Sequence, residues 1–302
     1  MDRRPVDHRR GRRMTSTKGG TVPEQFVEFF DDAATFPPGL APVEQAVTDH
    51  VARRSAPFVS AVGPAVLALA DLPRAREIAA GLDLSGGPVE VSVVTPAGAL
   101  DEALAAGQAL TPELRIVAVE LKTDPSDRAI WSEQVREAAA VGNLPIYVEL
   151  TAGQVADGAL DLLAGTGLRL KYRTGGIEAH LFPTPEQLAD VLTAAVAAGL
   201  PFKLTAGLHE AVRYTNATTG FTHHGFLNIA LATQAARAGE DREVVAGWLA
   251  ETDPARLAEA GATSDGSWRK SFTSFGTCSV GEPADALRRL DLFPGPTPFV
   301  HP

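Results

Sequence analysis

The chain has 302 residues, 45% of them hydrophobic and 21% charged, with one cysteine and a formal net charge of −10. This balance excludes a mainly disordered chain, the single Cys278 excludes an internal disulfide and suits a reducing cytoplasm, and no apolar run approaches the roughly 20 residues of a membrane helix. Residues 1–18 carry seven Lys/Arg and two Asp, a net +5, which leaves −15 for residues 19–302. Such an acidic body argues against nucleic-acid binding.

The arginine-rich start, MDRRPVDHRRGRR, lacks the apolar core of a secretory signal, and residues 1–20 read as a disordered basic tail. From residue 24 short β-like runs alternate with helical patterns. The first strand is expected at 26–36 (FVEFFDDAATF) and the second at 57–62 (PFVSAV), followed by the most apolar stretch, 61–72, which Gly63 and Pro64 interrupt. A helix at 72–82, strands at 88–94 and 114–121, a helix at 128–142 and strands at 145–150 and 168–174 come next. Thr184, Pro185 and Glu186 open a helix that closes at Gly199, a capping residue before a first-turn proline. A strand at 202–206, helices at 223–239 and 243–252 and a last strand at 270–276 complete the pattern. Eight strands predict an α/β fold, a closed (β/α)8 TIM barrel over 21–294, with a helical insertion at 210–268 between the last two strands and a tail at 295–302.

In such a barrel the catalytic groups lie at the carboxyl ends of strands. Alternation along each strand separates an apolar face from a polar one. Leu170 and Tyr172 oppose Lys171 and Arg173; Phe202 and Leu204 oppose Lys203 and Thr205; Ile146, Val148 and Leu150 oppose Tyr147 and Glu149; Val117, Val119 and Leu121 oppose Glu120 and Lys122. Asp31 and Asp32 belong to the first strand, and His209 follows the seventh. Buried cations on neighbouring strands need a purpose or a partner. A neutral lysine attacks a carbonyl, and a neighbouring cation such as Lys203 or Arg173 helps to make Lys171 neutral. Glu149 and Glu120 would then move protons, or else simply neutralise the lysines. His209, His223 and His224 follow no established metal-ligand spacing, and Gly175-Gly176 lacks the rest of a dinucleotide fingerprint, so neither a metal nor another cofactor is expected.

The strands KYRTGG (171–176) and FKLTAG (202–207), whose lysines lie thirty-two residues apart with TPEQL opening the helix between them, resemble the two-lysine signature of deoxyribose-phosphate aldolase, a class I Schiff-base aldolase family. The segments FDDAATFPPGLAP (30–42), VSAVGPAVLALA (59–70) and SFGTCS (274–279) are similar to its first, second and final strands. The resemblance implies an aldolase-like barrel in which Lys171 is the nucleophile and Lys203 its activator, with Gly176, Gly207, Gly276 and Ser279 near a phosphate or other anion. Asp32 stands where that family has histidine, Arg173 where it has serine and Leu208 where it has a second glycine, and its fourth-strand aspartate has Ala118 or Glu120 as the nearest counterpart. Arg173, Lys122, Asp32 and His209 complete the expected substrate-binding set. FPPG (36–39), FKLTAGLH, GFLN (225–228) and SFGTCSVGEP also resemble a group of bacterial barrel proteins with no assigned activity.

The expectation is therefore a cytoplasmic carbon–carbon lyase acting on a small anionic carbonyl compound, with no nucleic-acid or membrane partner and with homo-oligomer formation left open. Two other readings remain at this stage. One is an isomerase or lyase that uses Lys171, Arg173 and Lys203 as an anion cradle without an imine; the other is a non-catalytic barrel that binds a metabolite or a protein.

Overall fold

Along Ile146–Leu150 the side chains of Ile146, Val148 and Leu150 are buried in the main apolar core, while Tyr147 and Glu149 point the other way, into a closed ring of strands. That alternation sets the plan of the protein, here described from a computed structural model covering residues 21–109 and 112–295. The basic tail at 1–20 and residues 296–302 lie outside the described residues.

The barrel strands are β1 (Phe30–Asp32), β2 (Val62–Ala68), β3 (Val89–Thr95), β4 (Leu114–Lys122), β5 (Ile146–Leu150), β6 (Arg169–Arg173) and β7 (Phe202–Thr205). A short hairpin, β8 (Tyr214–Thr215) and β9 (Thr222–His223), precedes the last barrel strand, β10 (Phe272–Thr277). All barrel pairings are parallel, in the order β1-β10-β7-β6-β5-β4-β3-β2, and β10 closes the ring between β7 and β1. The chain is thus a (β/α)8 TIM barrel, as its strand and helix alternation predicts.

The helices are α1 (Val43–Ala52), α2 (Leu72–Ala79), α3 (Leu100–Ala109), α4 (Arg128–Ala139), the short α5 (Ala152–Ala156) and α6 (Ala159–Leu163), and α7 (Pro185–Ala197). After the hairpin come α8 (Phe226–Arg237), α9 (Arg242–Ala250), α10 (Pro254–Thr263) and α11 (Gly281–Arg289). α7 begins as its sequence implies: Thr184 and Gln187 form a reciprocal capping box, Pro185 occupies the first turn, and Gly199 follows the end with φ of +65°. Its face of Leu188, Ala189, Val191, Leu192 and Ala195 is buried.

One expectation is corrected. The second strand spans Val62–Ala68, not 57–62; Val59–Ala61 is a 3-10 turn. Gly63 and Pro64 do not break the strand because the β1–β2 register shifts between Val62 and Ala65, and this bulge absorbs a proline that cannot donate to the ladder. Gly63 also leaves the space that the Asp31 carboxylate occupies. Between the last two barrel strands, β7 and β10, the segment 210–268 carries the hairpin and the helices α8 to α10. α8 packs Phe226 on Phe30 and Phe275, α9 packs against α7 and α8, and the hairpin lies at the rim, where His223 meets the Gly207 carbonyl.

Candidate active site

The barrel interior is polar where its outer wall is apolar. β5, β6 and β7 are in direct register, so Glu149, Lys171 and Lys203 are neighbours at one level and project to the same side. Lys122 is opposite Glu149 in that register, at the exposed end of β4. Below this level Glu120 rises from β4 beside Tyr147.

Glu120 ties the two lysines together. Its Oε2 lies 2.8 Å from Lys171 Nζ, and its Oε1 accepts a hydrogen bond from Lys203 Nζ at 2.5 Å and another from the Ser92 hydroxyl at 2.7 Å. Lys203 also donates to Asp31 Oδ2 at 2.6 Å, which the Ser274 hydroxyl meets at 2.7 Å. Lys171 Nζ reaches Glu149 Oε2 at 2.8 Å. That approach is off line for a hydrogen bond, and the buried Glu149 Oε2 has no well-directed donor. Lys171 is 4% exposed and Lys203 1%, so both charges depend on these partners.

The electrostatics follow from that arrangement. Burial works against the charge on Glu120, but the Lys171 and Lys203 ammonium groups outweigh it and hold the carboxyl at about 2. Glu149 is likewise lowered, its burial overcome chiefly by Lys171 and then by Arg173. Burial would also push the Lys203 ammonium down, but Asp31 and then Glu120 reverse this and hold its proton more tightly than usual. Burial dominates at Asp31, which has a single ammonium partner, and raises its carboxyl. Of the two carboxylates that share Lys203, Glu120 is the stronger acid.

The other expected residues divide by place. Arg173 sits at the rim, its side chain 43% exposed and its guanidinium 3.7 Å from Glu149 Oε1. Gly276 is in register with Asp31 and Thr205 on the inner wall. Gly175 and Gly207 come together beyond the ends of β6 and β7; Gly207 adopts φ of +81° and its carbonyl meets His223 Nδ1 at 3.0 Å. Gly176 is packed against Leu181 so closely that any side chain would collide. The main-chain N–H groups of Gly175, Gly176 and Gly207 meet no acceptor among the described residues. The Ser279 amide turns back to Thr277 Oγ1 at 3.4 Å, and His209 pairs with Glu282 at 2.6 Å. His224 is turned elsewhere, toward Arg213 and Pro183.

Asp32 does not join the cluster. It lies one residue beyond Asp31 on the same strand, so it faces outward and meets His50 at 3.0 Å and Arg53 at 2.6 Å on the α1 side. Sequence reasoning gathered Asp31 with Asp32 but assigned a role only to the second. It missed Ser92 and Ser274, whose only signal is a hydroxyl on the inward face of a strand with an apolar outer face. In comparisons with known proteins the chain matches no family model, and no curated protein matches it significantly.

Proposed function

We propose that this barrel is a class I aldolase-like carbon–carbon lyase that forms a Schiff base through Lys171 with a small anionic carbonyl compound. One observation carries the reading: the Lys171 amine lies in a water-poor position beside the charged Lys203 of the neighbouring strand, with Glu149 Oε2 2.8 Å away to exchange a proton with the bound substrate. The neutral amine would attack the carbonyl carbon, and the carbonyl oxygen would leave as water to give a protonated imine. That imine draws the electron pair of the neighbouring carbon–carbon bond as it breaks, while Glu149 takes the proton of the hydroxyl on the departing carbon. Protonation of the resulting enamine and hydrolysis return the lysine and release two carbonyl compounds. Glu149 Oε2 accepts no in-line hydrogen bond and faces the Lys171 amine at 2.8 Å, which supports its part in this transfer. Lys203, kept charged by Asp31 and Glu120, supplies a fixed positive charge beside the reacting amine.

Charge balance argues against a simple anion cradle. Lys171, Lys203 and Arg173 face Asp31, Glu120 and Glu149, so three cations meet three carboxylates and leave no net positive charge. The anionic group of the substrate is better served at the rim, by Arg173 and the unused amides of Gly175, Gly176 and Gly207.

The test is reductive trapping. The protein is incubated with small aldehydes, keto acids and sugar phosphates, treated with borohydride, and examined by intact mass and peptide mapping. A reduced adduct on Lys171 is expected, absent from Lys171→Arg, which keeps the charge but cannot form the imine. Equal labelling of that variant, or no adduct on the folded wild-type protein, would count against the imine.

A further inference from the structure

A second opening lies at the opposite end of the barrel from the rim glycines. It is a cavity of about 450 Å³ entered between the amino ends of the strands, bounded by Glu28, Tyr147, Arg169, Arg269 and Thr273, and it reaches inward to Lys203 and Asp31. Its volume lies in the range of small-molecule sites. Pro64, Val117, Ala118 and Pro145 supply apolar wall.

Two guanidinium groups give this cavity its character. Arg169, at the start of β6, donates through Nη1 to the Tyr147 hydroxyl at 2.9 Å and lies over that ring at 5.3 Å. The same hydroxyl meets Thr273 Oγ1 at 3.0 Å, so the Arg169 side chain is held by a fixed network. Arg269, in the turn before β10, donates to the Val27 carbonyl at 2.7 Å and, at 3.4 Å, to that of Phe272. A guanidinium carries five N–H donors, so each arginine keeps donors in reserve. Among the described residues neither has a carboxylate within ion-pair distance, although the other charges inside the barrel are paired. Burial lowers the Arg269 guanidinium, which makes an approaching anion more favourable there. Asp31, at the inner end, is already engaged by Lys203 and Ser274, and Glu28 is the remaining acidic group on the wall.

We propose that this amino-end cavity is a second binding site, for a small oxyanion, a carboxylate or a phosphate monoester, held by the forked donors of Arg169 and Arg269. The two forks match oxyanion geometry, and Tyr147 and the wall residues offer an apolar body to the rest of the ligand. The site does not depend on imine chemistry at Lys171.

Inorganic phosphate and malonate are titrated separately into the full-length protein at constant ionic strength, with binding followed by calorimetry. Saturable binding of at least one probe is expected, weakened about tenfold or more in Arg169→Gln and in Arg269→Gln and little changed in Arg136→Gln on the exposed face of α4. Which probe binds distinguishes a phosphate from a carboxylate ligand. Because either variant can affect folding, the wild-type protein is also treated with phenylglyoxal. Protection of Arg169 and Arg269 by the bound probe, read by peptide mapping, supports the site. Absence of saturable binding by both probes overturns it, as does protection confined to Arg173.

Discussion

Glu120 is the residue through which the interior charges are joined, since each of its oxygens serves a different lysine. Its carboxyl is held at about 2 instead of the usual 4.5. The native state therefore binds this proton less readily than the unfolded chain. The resulting stability is complete above about pH 4.5 and is lost as pH falls toward 2, a contribution of roughly 3 kcal/mol. Asp31 has the opposite sign, because burial raises its carboxyl and acid favours its native form. Glu120→Gln should cost about 3–5 kcal/mol at neutral pH by leaving two buried ammonium groups short of a partner. It should also flatten the loss of stability between pH 4.5 and 2, measured by urea unfolding at each pH. An acid slope equal to that of the wild type would show that Glu120 does not carry this linkage.

Among the elements, the β8–β9 hairpin and the segments beside it are held at the rim by aromatic and histidine contacts. Tyr214 stacks on His223 with centroids 4.9 Å apart, and Phe182 meets Phe221 at the same separation. His224, next along, accepts from Arg213 at 3.2 Å through Nδ1 and donates from Nε2 to the Pro183 carbonyl at 2.8 Å, a pattern only the neutral ring satisfies. Burial, reinforced by Arg213, holds it down to about 4 from 6.5. Stability should therefore fall as pH drops from 6.5 toward 4, by roughly 3 kcal/mol. His224→Gln should remove that slope in a melting-temperature series, and an unchanged slope would assign it to another group. Neither the hairpin nor this histidine's role was legible in the sequence, because both depend on contacts between distant segments. β5 to β7 were legible because their outer faces are continuously apolar, so alternation sends Glu149, Lys171 and Lys203 inward; in β4 the same holds from Val119 onward and sends Glu120 inward, but the β3–β4 register shifts before Ala118 and Val117 lines the inner cavity. In FDD the same rule sends one aspartate in and one out, but with Phe29 and Phe30 both apolar it does not say which. At β2 the bulge interrupts the alternation itself.

At the scale of the whole molecule, an aromatic cluster joins the first and last barrel strands, β1 and β10. Phe29, fully buried, touches Trp268 at 4.9 Å and both Phe272 and Phe275 at 5.0 Å, centroid to centroid, while Phe30 and Phe226 extend the cluster. Phe29→Ala should cost about 3–5 kcal/mol. The expected result is a lower urea midpoint with an unchanged slope, in which tryptophan fluorescence and circular dichroism report one transition. A cost near zero would mean that the surrounding rings close over the gap.

The position of β10 has a consequence for how the protein is made. A chain growing from the ribosome can assemble β1 to β7 as an open sheet, but the strand that joins its edges, Phe272–Thr277, is the last of the eight barrel strands to emerge. Until then the edges of β1 and β7 are unpaired, and Asp31 lacks the Ser274 hydroxyl that steadies it. Lys203, on one of those edges, must wait for closure to place it between Asp31 and Glu120. The charged interior is thus completed only when β10 is in place, and a chain stopped short of residue 272 has most of the chemistry-bearing side chains but no enclosure in which to use them.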